Sequence, residues 1–104
     1  LRGTIANLGF TAGIARIIRV EGLETLIEDL ERFKPGEILI TTMTQPTMLA
    51  LARSAAAIVT NEGGVTSHAS VIARELGIPC VVGTKRATEM FSDGDFVEVD
   101  AYRG

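Results

Sequence analysis

The chain has 104 residues with a formal net charge of −3, and 46% of its residues are hydrophobic against 22% that are charged. This length suits one domain, and this composition supports a packed core and excludes a disordered chain. The acidic balance, without a dense run of Lys and Arg, disfavours nucleic-acid binding. No apolar run approaches the ~20 residues of a membrane span, and no charged and apolar leader opens the sequence, so we expect no secretory signal.

Cys80 is the only cysteine and cannot form a disulfide within the chain, so we expect a reducing, cytoplasmic compartment. Its apolar neighbours predict a buried structural thiol. One cysteine and one histidine also supply too few ligands for a structural zinc site, and we expect no metal site in the chain.

The first part of the chain is predicted to be rich in strands. Residues 2–8 form a first strand or entry segment, residues 9–13 read as a loop by their glycines, and the β-branched residues 14–20 predict a strand. Apolar residues then recur every three or four positions, which predicts an amphipathic helix ended by Pro35 and Gly36. The acidic residues that alternate with these apolar positions are expected on the solvated face of the helix: Glu24, Glu28, Asp29 and Glu31.

Strands and helices alternate through the rest of the chain. Residues 37–42 predict a strand, and a helix follows to about Ser54, with Thr44 as its N-cap and Pro46 in its first turn. The apolar residues 55–60 predict a buried central strand. Further strands are predicted at 80–82 and 96–100 and a short helix at 86–91. This alternation predicts an α/β fold with a mostly parallel central sheet flanked by helices.

The stretch that points to chemistry is residues 60–83, TNEGGVTSHASVIARELGIPCVVG. Gly63 and Gly64 predict a turn, and a helix follows that has His68 on its first turn and ends before Gly77. The backbone N–H groups of such a turn, together with the positive end of the helix dipole, suit an oxyanion such as a phosphoryl group. An imidazole held there can act as a nucleophile toward phosphorus. His68 is therefore the candidate catalytic residue.

The residues beside His68 have more than one interpretation. Thr66 and Ser67 can cap the helix or hold the phosphoryl group, and the two roles are compatible. Gly64 is expected to need either a positive φ or a close approach of its backbone to the phosphate. Because the carboxyl ends of parallel strands meet at one edge of a sheet, Thr47 or Thr44 is expected to hydrogen-bond the imidazole.

Arg74 lies well round the predicted helix from His68. A structural ion pair and a contact with a partner both fit this position, and neither is favoured.

The run from Gly63 to Pro79 resembles the phosphohistidine signature of the phosphoenolpyruvate-utilising enzymes, a family that includes phosphoenolpyruvate synthase and pyruvate phosphate dikinase. Residues 9–16, 35–40, 44–46 and 93–95 also resemble segments of that family's mobile domain. The resemblance implies a single swivelling β/β/α domain over residues 1–104, either part of a larger phosphotransferase or a free-standing carrier.

The same resemblance implies a function for the site. His68 would be transiently phosphorylated and would relay phosphate between a nucleotide site and a phosphoenolpyruvate or pyruvate site. Gly63, Gly64, Thr66 and Ser67 would bind the phosphate. The implied partners are an ATP-grasp nucleotide-binding domain and a barrel domain that binds phosphoenolpyruvate or pyruvate. The domain itself would bind no cofactor, and Mg²⁺ is expected at the partner domains.

A non-catalytic swivelling module for interaction or regulation is the alternative. The complete Gly-Gly-x-Thr-Ser-His arrangement favours transfer chemistry over this alternative. A carrier that visits two sites has to swivel, so we expect its two ends to lie close together on the surface, away from His68.

Overall fold

The computed structural model describes residues 1–19, 23–44 and 48–103. Strands and helices alternate along the chain in the following order: β1 (Thr4–Asn7), β2 (Phe10–Ile18), α1 (Leu23–Arg32), β3 (Ile38–Thr41), α2 (Leu49–Ser54), β4 (Ala57–Thr60), α3 (His68–Leu76), β5 (Cys80–Val82), α4 (Ala87–Met90) and β6 (Phe96–Asp100).

The strands form one sheet in the order β1-β5-β4-β3-β2-β6. Strands β2, β3, β4 and β5 are parallel to one another. At the two ends of the sheet, β1 pairs antiparallel with β5 and β6 pairs antiparallel with β2. The mostly parallel sheet predicted from the sequence is thereby confirmed. The last residues of β2 to β5 lie at one edge of the sheet, which we call the carboxyl edge, because parallel strands end on the same side.

Hydrophobic residues cover both faces of the sheet. Side chains of β3 and β4 alternate between the faces, so that Leu39 and Ile58 join the core beneath α2 and α3, whereas Ile40 and Val59 join the opposite core. Val97 and Val99 of β6 belong to the second core. The sheet therefore curls so that its own last strand covers one face, whereas α2 and α3 cover the other.

The curl also brings the first residue of the chain to the last strand. Leu1 lines a cavity of about 150 Å³ together with Val97, Val99 and Asp100. This cavity lies on the second core, whereas Ala69 and Ile72 of α3 pack on the first. Leu1 and the end of β6 thus line one cavity on the face of the sheet opposite α3.

The loop predicted at residues 9–13 is wrong, because Phe10 to Gly13 are part of β2 and pair with β6. A Cβ at Gly13 would come within 3.0 Å of the Gly36 carbonyl oxygen, so the glycine permits close packing rather than a turn. Pairing with a distant strand outweighs the local glycine signal.

Two further expectations are corrected. Asp29 is buried rather than solvated, since its carboxylate pairs with Arg32. Thr44 does not cap α2, which begins at Leu49 with Met48 at its N-cap. Pro46 and Val20 lie outside the described residues. Within residues 1–19, 23–44 and 48–103, no helix combines the length and apolar character needed to cross a bilayer.

Candidate functional site

His68 is the first residue of α3, which begins at the carboxyl edge after β4, and its side chain is exposed. Ser67 is the N-cap, with an extended backbone (φ −68°, ψ 162°), and its Oγ accepts a hydrogen bond from the Ser70 N–H. The Ser70 hydroxyl lies 3.0 Å from the Ser67 hydroxyl and donates to the Gly64 carbonyl at 2.6 Å. This network fixes the turn before the helix and hence the position of His68.

The imidazole is held by a residue from the neighbouring turn. Thr44 follows β3, is buried, and places its Oγ1 2.9 Å from Nδ1 of His68. This is the hydrogen bond expected from the parallel-sheet geometry, and it engages one ring nitrogen while leaving Nε2 available. Thr47, the other threonine considered for this role, lies outside the described residues.

A small cleft of about 60 Å³ adjoins the imidazole, and its lining includes Thr44, Glu62, Gly63, Ser67 and His68. The described lining residues bring one ionisable acid and no Lys or Arg into this cleft. A dianionic group on His68 would therefore depend on backbone N–H donors, hydroxyls and the α3 dipole within the domain.

The two glycines of the motif have different roles. Gly63 has φ +104°, and a Cβ on it would come 3.0 Å from Cβ of Ser67. Gly64 lacks a positive φ and has open space around it, which excludes the first of the two alternatives expected for this residue. Its close approach to a phosphate stays a prediction. Gly64 and Thr66 are exposed and lie outside the lining of the cleft.

The turn after β5 supports the glycine turn from the other side. Gly83 has φ +67°, and a Cβ there would lie 3.0 Å from the Gly63 carbonyl oxygen. The side chain of Asn61, which follows β4, donates to the Thr88 hydroxyl at 2.7 Å and accepts from its N–H at 3.0 Å. Sequence reasoning missed both Gly83 and Asn61, because only the pairing of β4 with β5 brings them together. An Asn directly after the predicted central strand was the available signal.

Arg74 lies in the last turn of α3, away from His68, and a role toward a partner stays a prediction. Its Nη1 donates to the Ala6 carbonyl at 3.3 Å, and six residues of helix place it about 9 Å along the axis from His68. Arg74 therefore anchors β1 to α3. Cys80 is the buried structural thiol that the sequence predicted, and burial raises its pKa to about 12, so that it stays protonated.

Fold and site together define a curled β/β/α domain with an exposed histidine at the carboxyl edge of its sheet. A family model described as "PEP-utilising enzyme, mobile domain" matches residues 33–104. The chain belongs to this family, and the resemblance seen in the sequence is confirmed.

Known proteins extend this result to the whole chain. Phosphoenolpyruvate synthase from Pyrococcus furiosus is 48% identical over all 104 residues, which make up 12% of that protein. An NMR structure of Enzyme I superposes with a TM-score of 0.61 at 30% identity, covering 78% of this chain and 37% of that one. Holo-form aconitase X from Thermococcus kodakaraensis shares the fold alone, with a TM-score of 0.71 at 20% identity over 99% of this chain and 92% of that one.

Proposed function

We propose that this chain is a phosphoryl carrier and that His68 is transiently phosphorylated on Nε2. The observation that supports this most directly is the 2.9 Å hydrogen bond between Thr44 Oγ1 and His68 Nδ1, on an imidazole that is otherwise exposed. With Nδ1 engaged, Nε2 is the ring nitrogen that an incoming phosphorus atom can reach.

The chemistry follows from the tautomer that this hydrogen bond can hold. Nδ1–H donates to Thr44 Oγ1, and the lone pair of Nε2 faces outward. Nε2 forms a bond to phosphorus while the bond from phosphorus to the donor's leaving oxygen breaks, and that oxygen keeps the bonding electrons. In the return step an acceptor oxygen attacks phosphorus, the P–N bond breaks, and its electrons return to Nε2. The Nδ1 proton stays on the ring throughout, so Thr44 acts as a positioning residue.

The phosphoryl oxygens on phosphorylated His68 need hydrogen-bond donors. The first turn of α3 presents backbone N–H groups and the positive end of the helix dipole. Ser67 and Gly63 line the cleft, and the exposed Gly64 and Thr66 flank it. We assign the phosphate contacts to these four residues as a proposal, because each lies on the turn that presents His68.

The family resemblance seen in the sequence suggests the two ends of the relay. We propose that His68 exchanges phosphate between a nucleotide site on an ATP-grasp domain and a phosphoenolpyruvate or pyruvate site on a barrel domain, with Mg²⁺ held by those partner domains. The chain spans 12% of the length of the P. furiosus synthase. The complete reaction would therefore belong to the larger protein and the phosphoryl-carrying step to this domain.

Phosphorylation can be tested directly. The chain is incubated with phosphoenolpyruvate and a phosphoenolpyruvate synthase whose own mobile-domain histidine has been replaced. We expect an acid-labile, base-stable phosphate on the parent chain and none on His68→Ala or on His68→Gln, which keeps a polar group beside Thr44. Folding of both variants is checked by circular dichroism. A phosphate that survives mild acid, or labelling retained in a folded variant, would refute the proposal.

A further inference from the structure

The turn after β5 contains a residue in an unusual backbone conformation, Lys85. Its φ is +74°, and no other non-glycine residue has a positive φ in the part of the chain that the structure describes. This left-handed conformation is unfavourable for any residue with a side chain, because Cβ crowds the following carbonyl oxygen. Such strain persists only where the surrounding structure fixes it, and it clusters at functional sites. A strained lysine in this turn therefore indicates a use for its side chain that glycine would not serve.

Lys85 is fixed beside the turn that presents His68. Its backbone N–H donates to the Asn61 carbonyl at 2.8 Å. Asn61 lies two residues before Gly63, which lines the cleft together with His68. The two turns also meet at Gly83, two residues before Lys85, where a Cβ would come within 3.0 Å of the Gly63 carbonyl oxygen. The lysine thus belongs to the wall that supports the candidate phosphate site.

The ammonium group of Lys85 is available to an anion. The side chain is exposed, and it forms no ion pair with a residue in the described ranges. Arg19, a cation after β2, instead donates through Nη2 to the Thr88 carbonyl at 2.8 Å. A lysine carries its charge on a long and flexible stem, so the ammonium of Lys85 can reach across the neighbouring turn.

The cleft at His68 lacks a positive charge of its own. Its described lining contains Glu62 and neither Lys nor Arg. A phosphoryl group brings about two negative charges at neutral pH, and the carboxylate of Glu62 would repel them. Backbone N–H groups and the dipole of α3 offset part of this repulsion. A cation on the adjacent turn would offset more of it without occupying the cleft.

We propose that the ammonium of Lys85 is the cation that meets the phosphoryl group carried by His68. This contact rests on the proposed phosphorylation of His68 and adds a charged partner from the neighbouring turn. The ammonium attracts the phosphoryl group as it reaches Nε2, so Lys85 favours loading of the carrier. The strained backbone is kept because glycine, which fits this φ, has no side chain that could supply the charge.

Phosphoramidate tests the contact without a partner domain. Nε2 of His68 displaces ammonia from phosphorus, so the loading rate reports on the domain alone and can be followed by ³¹P NMR. Lys85→Met keeps the length of the side chain and removes its charge. We expect it to load about 3- to 10-fold more slowly at low ionic strength, because an ammonium and a dianion attract each other even across water. The difference should shrink in 1 M salt, where the Debye length is about 3 Å.

Further variants separate the charge of Lys85 from its strain. Lys85→Gly removes the charge and relieves the backbone, so it should load as slowly as Lys85→Met and yet unfold at a higher temperature. Lys85→Arg keeps the charge and should load at nearly the parent rate. Arg86→Met is the matched control, since it removes the exposed cation next in the chain, and it should load as the parent does. Circular dichroism checks the folding of each variant.

Three results would overturn the assignment of Lys85 and leave the phosphorylation of His68 intact. The first is an equal loading rate for the parent and a folded Lys85→Met. The second is an equal loss in Arg86→Met, which would replace a specific contact by the general charge of this edge. The third is a Lys85→Met that is slow only with phosphoenolpyruvate and a synthase, since the ammonium would then serve docking on the partner. A parent chain that neither donor loads would instead refute the proposed function together with this contact.

Discussion

The chemistry available to His68 depends on a neighbouring side chain, Thr44. An exposed imidazole alone can rotate and can present either nitrogen. The Thr44 hydroxyl removes this choice, because it holds Nδ1 at 2.9 Å from a buried position after β3. The buried Thr44 thereby orients His68, whose imidazole has to stay accessible.

Replacing Thr44 should therefore slow phosphorylation. Thr44→Val keeps the shape of the side chain and removes the hydroxyl, so the ring is no longer held in one orientation. We expect a loss of about 10- to 100-fold in the single-turnover rate, since misplacement of about 1 Å has effects of this size. Thr42→Val, at an exposed position on the same turn, is the control and should react at the parent rate. Equal rates for the two variants would mean that the hydrogen bond does not position the imidazole.

Glu37 offers a prediction about the dependence of stability on pH. Burial raises the pKa of its carboxyl group, but hydrogen bonds from Arg16 and from the Lys34 N–H outweigh this effect, and the pKa is lowered overall. A carboxyl whose pKa is lower in the folded than in the unfolded chain stabilises the fold above its unfolded pKa of roughly 4.3. That contribution is lost as the pH falls through the folded pKa.

Glu37→Gln should accordingly lower the free energy of unfolding at pH 7 by about 1–3 kcal/mol, because it leaves Arg16 without its carboxylate. The difference between variant and parent should narrow below about pH 4. Urea denaturation at pH 7 and at pH 3 measures both effects. Glu28→Gln, which removes an exposed carboxylate, should change little at either pH. If the difference were the same at both pH values, protonation of Glu37 would have no effect on the stability that its ion pair with Arg16 contributes.

At the scale of elements, two turns at the carboxyl edge support each other. The turn after β5 contacts the turn that leads to His68, since Gly83 approaches the carbonyl of Gly63. The backbone N–H of Thr84 donates to the Thr60 carbonyl at 3.1 Å, and that of Lys85 donates to the Asn61 carbonyl at 2.8 Å. The geometry of the site is thus a property of two adjacent β–α connections.

A matched pair of glycine substitutions tests this support. Gly83 and Gly77 have nearly the same φ, +67° and +71°, so alanine strains the backbone similarly at both. A Cβ at Gly83 would also meet the Gly63 carbonyl at 3.0 Å, whereas one at Gly77 meets nothing within 4 Å. We expect each variant to lose about 1–2 kcal/mol of stability. Only Gly83→Ala should also slow phosphorylation of His68, and equal rates would show that the contact does not matter for the site.

The sequence predicted those elements whose signals are local. The start of α3 at His68 follows from a capping serine, a glycine turn and an apolar run, all within about ten residues. Only the second part of β2 was predicted, and Phe10 to Gly13 were missed, because they are extended only through pairing with β6. Thr44 was wrongly predicted to cap α2, but its predicted hydrogen bond to the imidazole, 24 positions away, is present, because parallel strands bring the two turns to one edge of the sheet. Asp29 was predicted to face solvent, but it is buried beside Arg32. Its burial could not be predicted, because both residues lie in a cavity that only the assembled fold creates.

For the whole molecule, the positions of the ends bear on the proposed swivel. Strand β6 runs antiparallel to β2, so Asp100 pairs with Phe10 at the edge of the sheet opposite the carboxyl edge. Leu1 shares a cavity with Asp100, on the face opposite α3. The shared cavity fits the expectation of neighbouring ends, and the end of β6 lies at the edge away from His68. Strand β1, however, begins at the carboxyl edge, because Thr4 pairs with Val82, the last residue of β5. Gly104 lies outside the described residues. A hinge at the end of β6 would give His68 the longer lever arm.

Such a carrier has to move as a rigid body, because internal deformation would misplace the imidazole at both of its sites. The two cores share the strands β3 and β4, whose residues are all buried, and packed cores resist continuous deformation. We therefore predict that phosphorylation changes amide hydrogen exchange only around the site, in residues 61–71 and at Thr44. Exchange in β1, β5 and β6 should stay as it is in the unmodified chain. The measurement compares the parent chain before and after phosphorylation, with His68→Gln carried through the same incubation as the control. Altered protection in β6 or β1 would show that the domain deforms when it is loaded, and transfer would then depend on a change of shape rather than on a swivel.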